Sequence, residues 1–154
     1  MWHEGLIFKL ESNGICGSLL NFFKYYLCNR HQRVVLNGTV SKWVQLTAGV
    51  PQGSLVGPLL FLVHVNELRE DICCNMRLYA DDSSLFTQVD DIQSTRTKIE
   101  RELGTIFSWA YQWMMIFNPD ITKQAVEIIF ALRTNKLDHP EIICNDVPVE
   151  KKNY

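Results

Sequence analysis

Two adjacent carboxylates, Asp81 and Asp82, stand in the run LYADDSSLF, residues 78–86. Side chains on a strand alternate faces, so neighbouring Asp residues cannot share a face unless the chain turns there. A turn joining two strands meets that demand and presents a carboxylate at the sheet edge. Carboxylate oxygens are preferred ligands of Mg²⁺, which keeps waters or substrate phosphates in its other positions. Two ions bridged by carboxylates activate an attacking hydroxyl and stabilise a leaving oxygen in phosphoryl transfer. Without a cation, the two Asp residues simply repel. The plainer alternative is a solvated turn held by Asp side-chain hydrogen bonds. Its usual flanks are polar, whereas here Leu78, Tyr79 and Ala80 precede the pair and Leu85 and Phe86 follow it.

A second stretch with chemical content is AGVPQGSLVGPLLF, residues 48–61. Gly49, Gly53 and Gly57 let the backbone approach another molecule closely. Gln52 offers both donors and acceptors to a base or sugar edge. Ser54 or Ser83 is placed to cap the element after it. The simpler alternative is a tight loop before a buried helix.

The elements that must carry these stretches follow from hydrophobic period. WHEGLIFKLESNG reads as a short helix with Leu6 and Leu10 on one face, stopped at Asn13-Gly14. GSLLNFFKYYLCNR reads as a second helix that buries Leu19, Leu20, Phe23, Tyr26 and Leu27. Residues 34–36 and 40–46 then change to strand period around Asn37-Gly38, a strong hairpin signal. LLFLVHVNELRED is an apolar helix that turns charged at its end. MRLYADDSSLFTQ reads as two strands meeting near the Asp pair. Asp91 is placed to cap a long helix with Ile92, Ile99, Leu103, Ile106 and Ala110 along one face. QAVEIIFAL reads as a strand and EIICNDVPVEKK as a hairpin turning at Asn145-Asp146. Interspersed helices and hairpins predict an α+β fold: an antiparallel sheet with helices packed on one face.

Bulk properties narrow the class. The chain has 154 residues, enough for one domain with a sizeable core. With 47% hydrophobic and 21% charged residues it is globular rather than disordered. A formal net charge of -2 gives no global footprint for nucleic acid but leaves room for a local basic face. Five Cys at irregular spacing, without a CxxC pair, read as reduced, mostly buried thiols and no structural zinc. No apolar run is long enough to span a membrane, and the N-terminus lacks signal-peptide features. The expected location is therefore intracellular, nucleus or cytoplasm.

GVPQGSLVGPLLFLVHVNEL, followed by LYADD, resembles the reverse transcriptase domain of non-LTR retrotransposons of the jockey-like and chicken-repeat-like kind. WHEGLIFKLESNGI, WMMIFNPDITKQAVEIIF and IICNDVPVEKKNY extend the resemblance over residues 1–154, from just after the family's first catalytic motif to the entry of the thumb. The resemblance implies a right-hand polymerase palm and RNA-directed DNA synthesis. It implies two Mg²⁺ (or Mn²⁺) ions, an RNA template, a DNA primer and a deoxynucleoside triphosphate. Asp81 and Asp82 become the metal-binding carboxylates, Asp81 the more direct ligand. Tyr79 and Ala80 line the primer end, and Pro51, Gln52 and Gly53 contact the incoming nucleotide and template. Lys123 falls where the family's lysine is proposed to protonate the leaving pyrophosphate.

The sequence departs from the family pattern in places. The first motif, with a further essential Asp, is expected just before Trp2 and occurs nowhere in the chain. Asp71, Asp90 and Asp91 lack its surroundings. Leu55-Val56 replaces the more frequent Val-Leu, and Ile121 replaces a frequent Lys. The chain is thus expected to be a palm fragment inactive alone, needing upstream and thumb segments of the same polyprotein. The alternative is a non-catalytic retrotransposon remnant or an adopted nucleic-acid-binding module. A fragment is also expected to leave apolar surface bare at Trp2, Leu6 and Ile7 and at Ile142, Ile143 and Val147.

Overall fold

The expected helical periods form helices, and the strand periods form short ladders. The computed structural model describes residues 1–116, 126–128, 141–144 and 147–152. The chain divides into two compact units, Met1–Glu67 and Leu68–Tyr154.

In the first unit, α1 (His3–Ser12) turns Gly5, Leu6, Lys9 and Leu10 inward. It stops at Asn13, whose amide donates back to the Lys9 carbonyl at 2.8 Å, and Gly14 leaves the helix with φ +84°. On α2 (Gly17–Leu27) the row Leu20, Phe23 and Leu27 is buried. Leu19 falls outside that row and is exposed, contrary to expectation, and Tyr26 is half-buried. These residues and Leu60 of α3 (Val56–Val65) make one core cluster.

Four short strands lie between α2 and α3. β2 (Val35–Leu36) and β3 (Thr39–Val40) pair antiparallel around Asn37-Gly38. Both turn residues have positive φ, +48° and +79°, as the expected tight hairpin requires. β1 (His31–Gln32) pairs antiparallel with β4 (Val44–Gln45). The second hairpin strand is therefore interrupted, not continuous from Val40 to Leu46.

Lys9 is the first unit's unexpected feature. Its side chain is 0% exposed, yet its ammonium donates to the His64 carbonyl at 2.7 Å and meets Glu67 Oε2 at 2.9 Å. Glu67 belongs to the 3₁₀ turn Asn66–Arg69 that continues α3. One buried charge thus fastens α1 to the end of α3.

In the second unit, β5 (Asn75–Tyr79) and β6 (Asp82–Phe86) form an antiparallel hairpin, followed by α4 (Ile92–Gln112). Asp91 caps α4 as expected: its carboxylate accepts the Ser94 amide at 2.8 Å, and that bond holds its pKa below the ordinary value. Leu68, Met76 and Ile106 form a core with Ile72, Leu78, Leu85 and Trp109 around them. Ile142 and Val149 form another with Ile99, Leu103 and Phe107. The expected α4 face holds, but Glu102 joins Ile106 and Ala110 as a buried residue.

β7 (Val126–Ile128) is the described part of the expected QAVEIIFAL strand. β8 (Ile143–Cys144) and β9 (Val147–Pro148) pair antiparallel, while the expected turn residues Asn145 and Asp146 lie outside the described residues. β10 (Glu150–Lys152) pairs with β7 in parallel. That pairing is not what the hairpin pattern implied: Glu150 lies opposite Val126 and Lys152 opposite Ile128, so β10 runs in the same direction as β7.

The class is α+β, as expected. Among the described residues the strands form five two-stranded ladders, one of them parallel. The expected bare apolar ends are mostly covered. Leu6 and Ile142 are buried, Trp2 and Ile7 are half-buried, Ile143 is exposed, and the Val147 side chain lies outside the described residues. The thiols are less buried than expected: Cys16, Cys28 and Cys73 are exposed and only Cys74 is buried among those described. No described helix is long and apolar enough to cross a membrane.

Two stability predictions follow from the Lys9 neighbourhood. Lys9→Ala empties a fully buried site and strands Glu67, so the first unit should lose about 3 kcal/mol in denaturant unfolding. Lys9→Met with Glu67→Gln keeps the volume and removes both charges, and should lose less than about 1.5 kcal/mol. His64 is also buried, and desolvation, with the ammonium of Lys9 and the N-terminal ammonium, lowers its pKa from 6.5 to about 4. The unfolded state therefore binds the extra proton first as pH falls. Stability should be full above about pH 6.5 and fall by up to about 3 kcal/mol as pH drops to about 4 and below. Thermal unfolding across that window should flatten in His64→Leu; an unchanged pH profile would count against a buried neutral imidazole.

Candidate metal and nucleotide site

Tyr79 pairs with Asp82 across the β5–β6 hairpin, which leaves Ala80 and Asp81 as a two-residue loop. The question posed by two adjacent carboxylates is answered there. Asp81 sits in the turn and Asp82 opens β6, so the two need not share a strand face. Ala80 takes φ +51°, a left-handed conformation that costs a residue with a Cβ about 1 kcal/mol. Strain of this kind persists where surrounding structure over-determines it, and it clusters at functional sites.

Strand alternation sorts the remaining hairpin side chains. Met76, Leu78 and Leu85 turn inward against Leu68 and Ile106. Arg77, Tyr79, Asp82, Ser84 and Phe86 turn outward and are exposed. Arg77 lies over the Phe86 ring, 5.8 Å from its centroid. Tyr79 is 83% exposed, which leaves its ring open to a ligand. Arg77 and Ser84 are in the same outward row as Tyr79 and Asp82. The sequence reading passed over both, although counting by twos from Asp82 and Tyr79 reaches them.

A buried carboxylate holds the approach to this hairpin. Glu102 of α4 accepts the Cys73 amide at 2.9 Å through Oε2 and the Arg101 guanidinium at 2.9 Å through Oε1. Burial pushes the Glu102 carboxyl up, but these donors outweigh it and hold its pKa below the ordinary value. The anchored amide lies just before β5, so α4 fixes where the hairpin begins.

The GVPQG loop is built in the first unit. Trp2 forms an antiparallel bridge with Ala48, and the Gly49 amide donates to the Met1 carbonyl at 2.8 Å. The His3 ring donates from Nε2 to the Gly49 carbonyl at 2.7 Å. Gly49 and Gly53 take φ of +84° and +79°, which suit glycine. Gln52 and Gly53 are exposed and Pro51 is half-buried. Of the two serines the sequence offered as caps, Ser54 meets the first turn of α3, its Oγ accepting the Gly57 amide at 3.0 Å, although the N-cap position itself is Leu55. Ser83 lies within β6 and caps nothing. Gly57 was expected to admit another molecule, but it is buried against its own loop. A Cβ there would lie 2.8 Å from Ser54 Oγ.

The structure thus gathers Tyr79, Ala80, Asp81 and Asp82 on one hairpin and Pro51, Gln52 and Gly53 on one loop, each group within its own unit. Lys123 lies outside the described residues. Exposed, adjacent carboxylates at a turn are the right donors for a hard divalent ion that keeps solvent or phosphate ligands. Among the described residues, no group of three or more His, Cys, Asp or Glu gathers around them. The fit is that of an open, two-carboxylate site and not of a closed protein cage.

Residues 1–141 match the family described as "Reverse transcriptase (RNA-dependent DNA polymerase)". The chain is 28% identical over 144 residues to the RNA-directed DNA polymerase from mobile element jockey of Drosophila melanogaster, covering 87% of this chain and 15% of that protein. It is 29% identical over 145 residues to a probable RNA-directed DNA polymerase from transposon BS of the same organism, again over 87% and 15%. With the corresponding X-element protein from that organism it shares 26% identity over 162 residues, covering 99% of this chain and 17% of that one. No solved structure matches.

The strained turn is directly testable. A β-branched residue at φ +51° is more strained than Ala, so Ala80→Val should cost a further 1–2 kcal/mol or so in thermal unfolding. Ala80→Gly relieves the strain but frees the unfolded chain, and should be neutral or mildly stabilising. Equal stability of the Val and Gly variants would exclude a left-handed residue at this position.

Proposed function

The chain belongs to the reverse transcriptase family, and from that premise we propose that it is palm sequence of an RNA-directed DNA polymerase from a mobile element. The observation that carries the reading is the β5–β6 turn, which presents Asp81 and Asp82 to solvent beside the exposed ring of Tyr79. The chain spans about 15% of the length of the jockey and BS polymerases. The activity proposed is therefore that of the whole enzyme.

Reverse transcriptases work with divalent metal ions. In this reading Asp81 and Asp82 hold Mg²⁺ or Mn²⁺, two ions in the working enzyme, with Asp81 the more direct ligand. When bound, such ions lower the pKa of the attacking hydroxyl and neutralise charge on the triphosphate. The 3′-oxygen of the DNA primer forms a bond to the α-phosphorus of the deoxynucleoside triphosphate, and the α–β phosphoanhydride bond breaks. The primer hydroxyl gives up its proton, and the departing pyrophosphate takes one, which Lys123 is placed by sequence to donate. Tyr79 and the Ala80 backbone support the primer end. Pro51, Gln52 and Gly53 contact the nucleotide and the RNA template, Gln52 through its amide. An enzyme of this kind works in the nucleus or cytoplasm.

Manganese is the simplest probe, because its free and bound forms are resolved by electron paramagnetic resonance. The chain should bind Mn²⁺ weakly, as expected of an open site, and Asp81→Asn should weaken binding at least about tenfold, with a smaller loss for Asp82→Asn. Both variants should keep the thermal stability of the parent, since both carboxylates are exposed. Binding that is indifferent to both substitutions would overturn the assignment.

A further inference from the structure

The GVPQG loop turns on a residue that its packing does not hold. Gly49 takes φ +84°, and no atom beyond its chain neighbours lies within 4 Å of where a Cβ on it would stand. Hydrogen bonds impose that conformation instead. The Gly49 amide donates to the Met1 carbonyl at 2.8 Å, and the Gly49 carbonyl accepts from His3 Nε2 at 2.7 Å. A carbonyl only accepts, so the ring nitrogen facing it carries the hydrogen. Both polar groups of one unpacked glycine are thus gripped by the entry to α1, one of them by a side chain. That entry is a firm base, because the buried Lys9 ammonium ties α1 to the end of α3.

The grip reaches the part of the loop that faces solvent. Val50 follows Gly49 and packs on the core cluster of Leu6, Leu10 and Leu60. The Ser54 amide then donates to the Pro51 carbonyl at 3.2 Å, which closes a turn over residues 51–54. Gly53 is the third residue of that turn and has φ +79°, as a type II turn demands. Gln52 is the second, exposed at the corner. Beyond the turn, Ser54 Oγ accepts the Gly57 amide and secures the exit into α3. The exit is therefore tied by near neighbours, whereas the His3 ring ties the entry across 46 residues. Between Gly49 and Gln52 stand only Val50 and Pro51, and the Pro51 ring fixes its own φ. A change at Gly49 is passed on to the Gln52 corner rather than absorbed.

We propose that His3 is a positioning residue for the GVPQG loop. Its Nε2–H sets the Gly49 carbonyl, and through it the direction in which Gln52 and Gly53 are presented to nucleotide and template. His3 acts through Gly49 and does not touch the substrate. The role rests on the polymerase reading for its purpose and on the Gly49 geometry for its existence.

The test is nuclear magnetic resonance on the full chain. In the parent, a scalar coupling across the hydrogen bond should link His3 Nε2 to the Gly49 carbonyl carbon. Its absence would overturn the proposal whatever the variants do. His3→Phe keeps a ring and removes the donor. Amide hydrogen exchange at Gly49 and Ser54 should then speed up roughly tenfold, the loss of one neutral hydrogen bond, while the α2 amides keep the parent's rates. His3→Gln restores an Nε2 donor and should bring both amides back to near the parent's rates. Unchanged exchange in His3→Phe, or a rise shared equally by α2, would mean that the ring fills space or supports the unit as a whole, and would overturn the role. So would His3→Gln exchanging as fast as His3→Phe. Manganese binding at Asp81 is read on the same samples. Its loss beside a His3-dependent loop would sink the polymerase reading and leave the clamp, and intact manganese binding beside exchange that ignores His3 would sink the clamp alone.

Discussion

Lys9 has no water around its ammonium and so must find its partners within the protein. It finds the His64 carbonyl and the Glu67 carboxylate, both at the end of α3. Only a narrow placement of α1 against α3 satisfies that charge, because a buried ion left unpaired is far costlier than a missed apolar contact. The same constraint recurs in the second unit with the sign reversed. Glu102 is buried in α4 and draws in the Cys73 amide and the Arg101 guanidinium. Apolar packing tolerates small shifts, but these contacts do not. Each unit is thus held in register by one buried charge as well as by its core.

Both anchors lie directly upstream or downstream of chemistry. α1 brings Met1, Trp2 and His3 against Ala48 and Gly49, so the helix that Lys9 fixes also fixes the start of the GVPQG loop. Ser54 then ties that loop to the first turn of α3, with Gly57 leaving just the room its hydroxyl needs. In the second unit, Glu102 holds the residue before Cys74 and β5, and the inward row of the hairpin packs on the same helix. The carboxylates at the tip are exposed, but the strands that carry them are positioned from below.

The surface divides labour in a way that composition conceals. Acidic residues supply the hairpin tip, whereas residues 12–66 of the first unit hold Lys24, Arg30, Arg33 and Lys42 and no Asp or Glu. Exposed like charges at the tip cost little in water, where two unit charges at contact interact by about 1 kcal/mol. They remain available for a cation because no described side chain neutralises them. In the first unit Arg30 lies over the Tyr26 ring and Arg33 over the Trp43 ring, and among the described residues neither meets a carboxylate.

Sequence alone determined what depends on local chemistry. The hairpin turn at Asn37-Gly38, the Asp91 cap, the long period of α4 and the turn at Asp81 all rest on residues a few positions apart, whose steric and hydrogen-bonding preferences act before any tertiary contact forms. The family was legible for the same reason, since its motifs are short and contiguous. Burial of Lys9 and Glu102 was decided by tertiary structure, although their positions hinted at it: Lys9 shares a face with Gly5, Leu6 and Leu10, and Glu102 precedes Ile106 and Ala110 at helical spacing. A charge on an apolar face reads as a solvated edge until a distant donor or acceptor arrives to meet it. Likewise, the parallel β7–β10 pairing and the separate β1–β4 and β2–β3 ladders depend on which segments meet. Strand partners are chosen by contacts far apart in the chain, and no local propensity encodes that choice.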